Sequence, residues 1–157
     1  ELYNRKIMNE VIILGREQFI NKVLPKVDEA KNTFFISILE PDDDFENLHE
    51  DTENFKTWKF YDIEYDINNY KAITFEQAKE IYEFIKKNEG KNLICHCYAG
   101  VARSGAVGEF YWEMLGGSYK QLTEKFPNIS PNGRVLSYLR IAEKLENADV
   151  KSKINFV

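Results

Sequence analysis

Leu93-Ile94-Cys95-His96-Cys97-Tyr98-Ala99-Gly100-Val101-Ala102-Arg103-Ser104-Gly105 decides how this chain is read. Its first part, within the short apolar run Asn92 to His96, predicts a buried central strand. Its last part opens a helix from Arg103 to Leu115, with Ala106, Val107, Phe110 and Met114 on one apolar stripe. In open α/β sheets, ligand sites lie beyond the carboxyl ends of the strands. A loop of small residues there turns its N–H groups inward as an anion nest. The helix behind it adds free N–H groups and a positive dipole end. The segment therefore predicts a cradle for a phosphate dianion, built from Tyr98, Ala99, Gly100, Val101, Ala102 and Ser104.

Cys97 stands at the entrance of that loop. The field that attracts the anion also favours the thiolate. A thiolate attacks phosphorus directly and forms a phosphocysteine, which divides one hard step into two easier ones. Arg103, six residues on, offers a planar fork that pairs bidentately with phosphoryl oxygens. Ser104 is placed to donate a hydrogen bond to the sulfur as it leaves. His96 reads as a strand residue bracing the loop, and Cys95 as a small core residue. Cys95, His96 and Cys97 do not make a metal site, because consecutive residues cannot surround an ion tetrahedrally.

Outward from this segment, strands alternate with helices. Met8 to Leu14, Thr33 to Leu39 and Lys56 to Tyr61 read as strands, the last with Trp58 and Phe60 on one face. Arg16 to Lys22 reads as a short helix. Thr74-x-x-Gln77 fits a capping box ahead of Ala78, Ile81, Tyr82 and Ile85, with Gly90 as the stop. Ser118-x-x-Gln121 caps a short helix after Gly116-Gly117. Ser130-Pro131 places a cap before a first-turn proline, opening a final helix with Val135, Tyr138, Leu139, Ala142 and Leu145 inward. The alternation predicts an α/β sheet covered on both faces.

With 157 residues, 43% apolar and 30% charged, the chain reads as one soluble domain over 1–157. A domain of this length buries roughly 70% of its unfolded surface and needs no disulfide staple. The net charge of −5 argues against general nucleic-acid binding. No apolar run approaches the ~18 residues that span a membrane, and the first residues lack the apolar core of a signal peptide. The two cysteines form no disulfide framework, so a reducing, cytoplasmic setting is expected. Residues 40–54 hold Glu40, Asp42, Asp43, Asp44, Glu46, Glu50, Asp51 and Glu53 and no Lys or Arg. They read as a solvated loop, with substrate recognition as the alternative.

His96-Cys97 to Arg103-Ser104, read as His-Cys-x5-Arg-Ser, resembles the signature of the protein tyrosine phosphatase superfamily. This copy is most similar to its compact dual-specificity-like branch. Phe60-Tyr61-Asp62 resembles the strand end that carries the family's general acid. Phe34 to Pro41 resembles the strand before it, and Ser130-Pro131-Asn132 the start of the late helix. The resemblance covers most of the chain from Phe34 onward. It implies a central, mostly parallel sheet flanked by helices. It also implies a cofactor-free phosphoric monoester hydrolase acting on phosphorylated protein or peptide. Two residues compete for the acid, Asp62 and Asp66, and the strand-end pattern favours Asp62. Asn132 reads as a helix cap, with bracing of the phosphate loop as the alternative that the resemblance suggests. Two rival functions stand beside the phosphatase: a rhodanese-like sulfurtransferase and a non-catalytic phosphotyrosine-binding module.

Overall fold

The computed structural model describes residues 8–43 and 46–155; Asp44 of the acidic segment lies outside them. Four strands, β1 (Val11–Gly15), β2 (Thr33–Leu39), β3 (Phe55–Lys59) and β4 (Asn92–Cys97), form one sheet. Their order is β1-β4-β2-β3 and every pair is parallel. Gly15 lies opposite Cys97 and Ser37 opposite His96, so the carboxyl ends of β1 and β2 flank that of β4.

Period-two alternation along the strands divides the core in two. Val11 and Ile13, Phe34, Ile36 and Ile38, and Leu93, Cys95 and Cys97 join the larger core. It is completed by α2 (Phe75–Lys87), α3 (Arg103–Met114), α4 (Tyr119–Lys125) and α5 (Gly133–Asn155). On the other face, Phe35 and Phe55 pack with Phe19 and Val27. Those two come from a helical connection of mixed pitch: α1 (Arg16–Gln18), a π turn at Phe19–Val23 and a 3₁₀ segment at Leu24–Glu29. The single helix expected over Arg16 to Lys22 is therefore only partly regular. Phe34 is fully buried in edge contacts with Phe84 and Tyr111. Its replacement by alanine would cost about 3–5 kcal/mol.

Both capping boxes form. Thr74 and Gln77 exchange hydrogen bonds at the start of α2, and Ser118 and Gln121 do so at the start of α4. Gln77 also reaches back to donate to the Lys59 carbonyl at the end of β3. Strand boundaries shift slightly: Gly15 completes β1, and β3 ends at Lys59.

The start of the last helix differs from the expectation. α5 begins at Gly133, and Asn132 is its cap, accepting from the Val135 N–H. Ser130 lies ahead of the helix, and its N–H donates to the Val101 carbonyl. Leu145, expected inward, is exposed. Among the described residues, no helix is long and apolar enough to cross a membrane.

Candidate active site

Cys97 is the last residue of β4 and is 2% exposed. Its Sγ lies 3.0 Å from Ser104 Oγ in the first turn of α3. The loop between them points its carbonyls outward. Tyr98 O accepts from Arg16 N, Val101 O from Ser130 N, and Ala102 O from Asn132 N and Ala106 N, all at 2.9–3.0 Å. Among the described residues, no backbone carbonyl accepts from the N–H groups of Tyr98 to Ala102. N–H donors without carbonyl acceptors at a helix start have the make-up of an anion nest. Gly100 makes this turn possible. Its φ is +73°, and a Cβ there would lie 2.5 Å from Gly15 N and 2.6 Å from Leu14 C. The loop is thus seated directly on the end of β1.

Arg103 is 3% exposed, and its guanidinium is clamped from two strands. Nη1 donates to the Phe60 carbonyl at 2.8 Å, just past β3. Nη2 pairs with the Glu40 carboxylate, just past β2. Nε is buried and has no hydrogen-bond partner. The unmet Nε–H of this fixed guanidinium is open to a further acceptor. Glu40 was expected among solvated loop acids, and the structure corrects that. The available signal was its place directly after a buried strand, ahead of the rest of the acidic run.

His96 faces the opposite side of the sheet from Cys95 and Cys97. Its ring stacks on Phe19 with centroids 4.2 Å apart. Nδ1 lies 3.3 Å from the Cys97 carbonyl, which only accepts, so Nδ1 carries the proton. Nε2 then accepts from the Ser37 hydroxyl at 2.6 Å. Burial pushes the imidazole pKa down to about 4, so the ring is neutral and braces the end of β4. Burial pushes the Cys95 thiol well above its ordinary range, which suits a core residue.

The two acid candidates have different surroundings. Asp66 is spent on its own loop: Oδ1 accepts from Ala72 N at 3.0 Å, and Oδ2 lies 3.7 Å from Lys71 Nζ. Asp62 is exposed, and its Oδ1 accepts from Asn132 Nδ2 at 2.9 Å. Asn132 is in turn bonded through its N–H to Ala102 of the phosphate loop. Asn132 is therefore the expected cap, and it touches the Cys97–Arg103 loop as well.

The acidic segment is partly consumed within the fold. Asp43 pairs with Arg16 at 3.0 Å, and Asp51 accepts from the Thr57 N–H. Arg16 also stacks over the Tyr98 ring at 4.8 Å, so the cation beside the loop is matched by Asp43. Tyr98 and Tyr65 are exposed, Tyr61 is half-buried, and Trp58 belongs to the core with Nε1 bonded to Glu80.

No family model matches the chain, and no curated protein matches it in sequence. Solved structures do match in shape. Human DUSP28 superposes with a TM-score of 0.60 at 11% identity, covering 92% of this chain and 98% of its own. The human tyrosine phosphatase-like serine/threonine/tyrosine-interacting protein gives 0.53 at 21% identity, covering 90% and 95%. PTPMT1 in complex with PI(5)P gives 0.52 at 16% identity, covering 93% and 97%. With its all-parallel sheet and its cysteine loop between β4 and α3, the chain has a dual-specificity-phosphatase-like fold.

Proposed function

We propose that the chain is a metal-independent phosphatase that hydrolyses phosphate monoesters through a phosphocysteine at Cys97. The observation that carries this reading is the Arg103 guanidinium, clamped by Glu40 and Phe60 with its buried Nε unmet. The loop N–H groups and Arg103 receive the phosphoryl oxygens. The Cys97 thiolate attacks phosphorus, a P–S bond forms, and the ester P–O bond breaks. Asp62 gives its proton to the departing oxygen. Water then attacks the phosphocysteine, Asp62 takes the proton from it, and the P–S bond breaks. Ser104, 3.0 Å from Sγ, donates a hydrogen bond to the thiolate that is released. Arg103 and the loop supply the charge stabilisation that metal ions give in other phosphoryl transfers.

The substrate reading is a phosphotyrosine-type monoester on a protein or peptide. Residues 98–102 carry no cation, and Arg16 beside them is neutralised by Asp43. Arg103 and the loop N–H groups serve one phosphate, and further phosphates would meet a protein of net charge −5. The PI(5)P bound to PTPMT1 makes a phosphoinositide the second reading. A binding-only role is the third, since a phosphatase-like interacting protein has the same fold.

The test is hydrolysis of an aryl phosphate in excess chelator by wild type, Cys97→Ser and Arg103→Ala. Turnover by wild type alone, inhibited by vanadate, supports the reading. A chelator-sensitive activity restored by a divalent ion, or turnover of thiosulfate in its place, contradicts it. kcat/KM on a phosphotyrosyl peptide and on a soluble phosphoinositide, at one ionic strength, separates the substrate classes.

A further inference from the structure

Asn132 sends its polar groups to three separate elements. Its N–H donates to Ala102 O at 2.9 Å, in the phosphate loop. Its Oδ1 accepts from Val135 N at 3.0 Å, in the first turn of α5. Its Nδ2 donates to Asp62 Oδ1 at 2.9 Å and to Ile63 O at 3.2 Å. The partners fix the orientation of the amide. Reversing it would set NH₂ against the Val135 N–H and oxygen against two other oxygens. The residue itself is 5% exposed, and its bond to Val135 N is buried.

The segment that holds Asp62 is latched at several points. Tyr61 N donates to Lys71 O, and Ala72 N donates to Asp66, which closes the segment on itself. Arg134, two residues into the α5 region, donates to the carbonyls of Glu64 and Ile73. The start of α5 thus grips this segment by backbone carbonyls and, through Asn132, by the Asp62 carboxylate.

We infer that Asn132 is a positioning residue for the general acid, tying the Asp62 carboxylate to the phosphate loop and to the α5 cap. The inference rests on the reading of Asp62 as that acid. Oδ1 is occupied as the acceptor of Nδ2–H, so the transferable proton sits on Oδ2. The Asp62 carboxyl group is held by the side-chain amide of Asn132, and the backbone N–H of the same residue bonds Ala102. Movement of the phosphate loop and placement of the acid are therefore coupled through one residue, by its backbone on one side and its side chain on the other. Misplacing a reacting group by about 1 Å costs on the order of a hundredfold in rate, which sets the scale of the expected effect.

The test uses Asn132→Ser and Asn132→Asp. Both keep a cap acceptor for Val135, and neither keeps the Nδ2–H donor. kcat/KM is measured on two aryl phosphates of equal size, one with an acidic phenol and one with a basic phenol, in wild-type and Asp62→Ala backgrounds. Thermal midpoint and vanadate inhibition are recorded alongside. In the wild-type background, the loss on the basic phenol should exceed that on the acidic phenol by about tenfold or more. In the Asp62→Ala background, that difference should vanish. Equal losses on both phenols, or the same differential loss in both backgrounds, would overturn the inference and leave the phosphatase reading standing. If Asp62→Ala itself leaves the basic phenol unaffected, the assignment of Asp62 falls and takes the inference with it.

Discussion

Glu40 and Arg103, far apart in the chain, form an ion pair between the carboxyl end of β2 and the start of α3. Together with the bond to Phe60 O, the pair holds a nearly buried guanidinium in one orientation beside the Cys97 loop. Glu40→Ala leaves that cation without its charged partner. The expected loss is about 1.5–3 kcal/mol, the worth of a hydrogen bond to a charged group, or roughly ten- to a hundredfold in kcat/KM. Vanadate affinity should fall in parallel, and Glu40→Gln, which keeps an acceptor, should lose less. Unchanged kinetics in Glu40→Ala would mean that Phe60 alone orients the arginine.

Gly100→Ala should disable the phosphate loop. The added methyl meets backbone atoms of Gly15 and Leu14 inside 3 Å, at a positive φ that L-residues avoid. Activity and vanadate binding should drop by about a hundredfold or more. Gly116→Ala, also at positive φ but with nothing within 4 Å of the new Cβ, serves as the control. It should cost only about 1–2 kcal/mol of stability and leave kcat/KM near wild type.

Asp62→Ala should slow hydrolysis of esters with basic leaving groups by about a hundredfold and should slow those with acidic leaving groups far less. Asp66→Ala should lower the thermal midpoint, because it removes the acceptor of the Ala72 N–H. It should leave the leaving-group dependence unchanged. A comparison of kcat/KM across substituted aryl phosphates checks both. The reverse ranking would move the acid to Asp66.

His96 should make stability fall with acid. Its pKa is pushed from 6.5 down to about 4, chiefly by burial, so the unfolded chain binds its proton first. The stabilisation is complete above pH 6.5 and is lost as pH falls towards 4. It amounts to about 3 kcal/mol at most. Urea unfolding of wild type and His96→Asn between pH 7.5 and 4.5 measures it. Wild type should lose more stability across that window than the variant. Parallel curves would contradict the account of a buried neutral ring.

Features with local causes were legible in the sequence. The capping boxes at Thr74 and Ser118 need only residues three apart, and both form as expected. The Cys97 loop was legible for the same reason: strand, turn glycine, arginine and helix lie in one short run. What depends on strand order was not. Glu40 could be assigned only once β2 was known to lie beside β4 in parallel register; in sequence it looks like the first of a row of solvated acids. The start of α5 lies later than Ser130-Pro131 suggested: Asn132 caps it, while the Ser130 N–H bonds Val101 across the fold, a partner that no local pattern shows. Asn132 was read as a cap, and its bond to Asp62 came only from the tertiary approach of two loops.

The central claim is that the phosphoryl group passes through Cys97. Rapid acid quench of the enzyme during turnover of an aryl phosphate, followed by peptide mapping by mass spectrometry, tests it most directly. The account predicts a phosphoryl adduct on the peptide containing Cys97. The adduct should appear with the burst of released phenol, accumulate further in Asp62→Ala and be absent in Cys97→Ser. Sustained turnover by Cys97→Ser, or turnover by wild type with the phosphoryl group found on another residue, would contradict it.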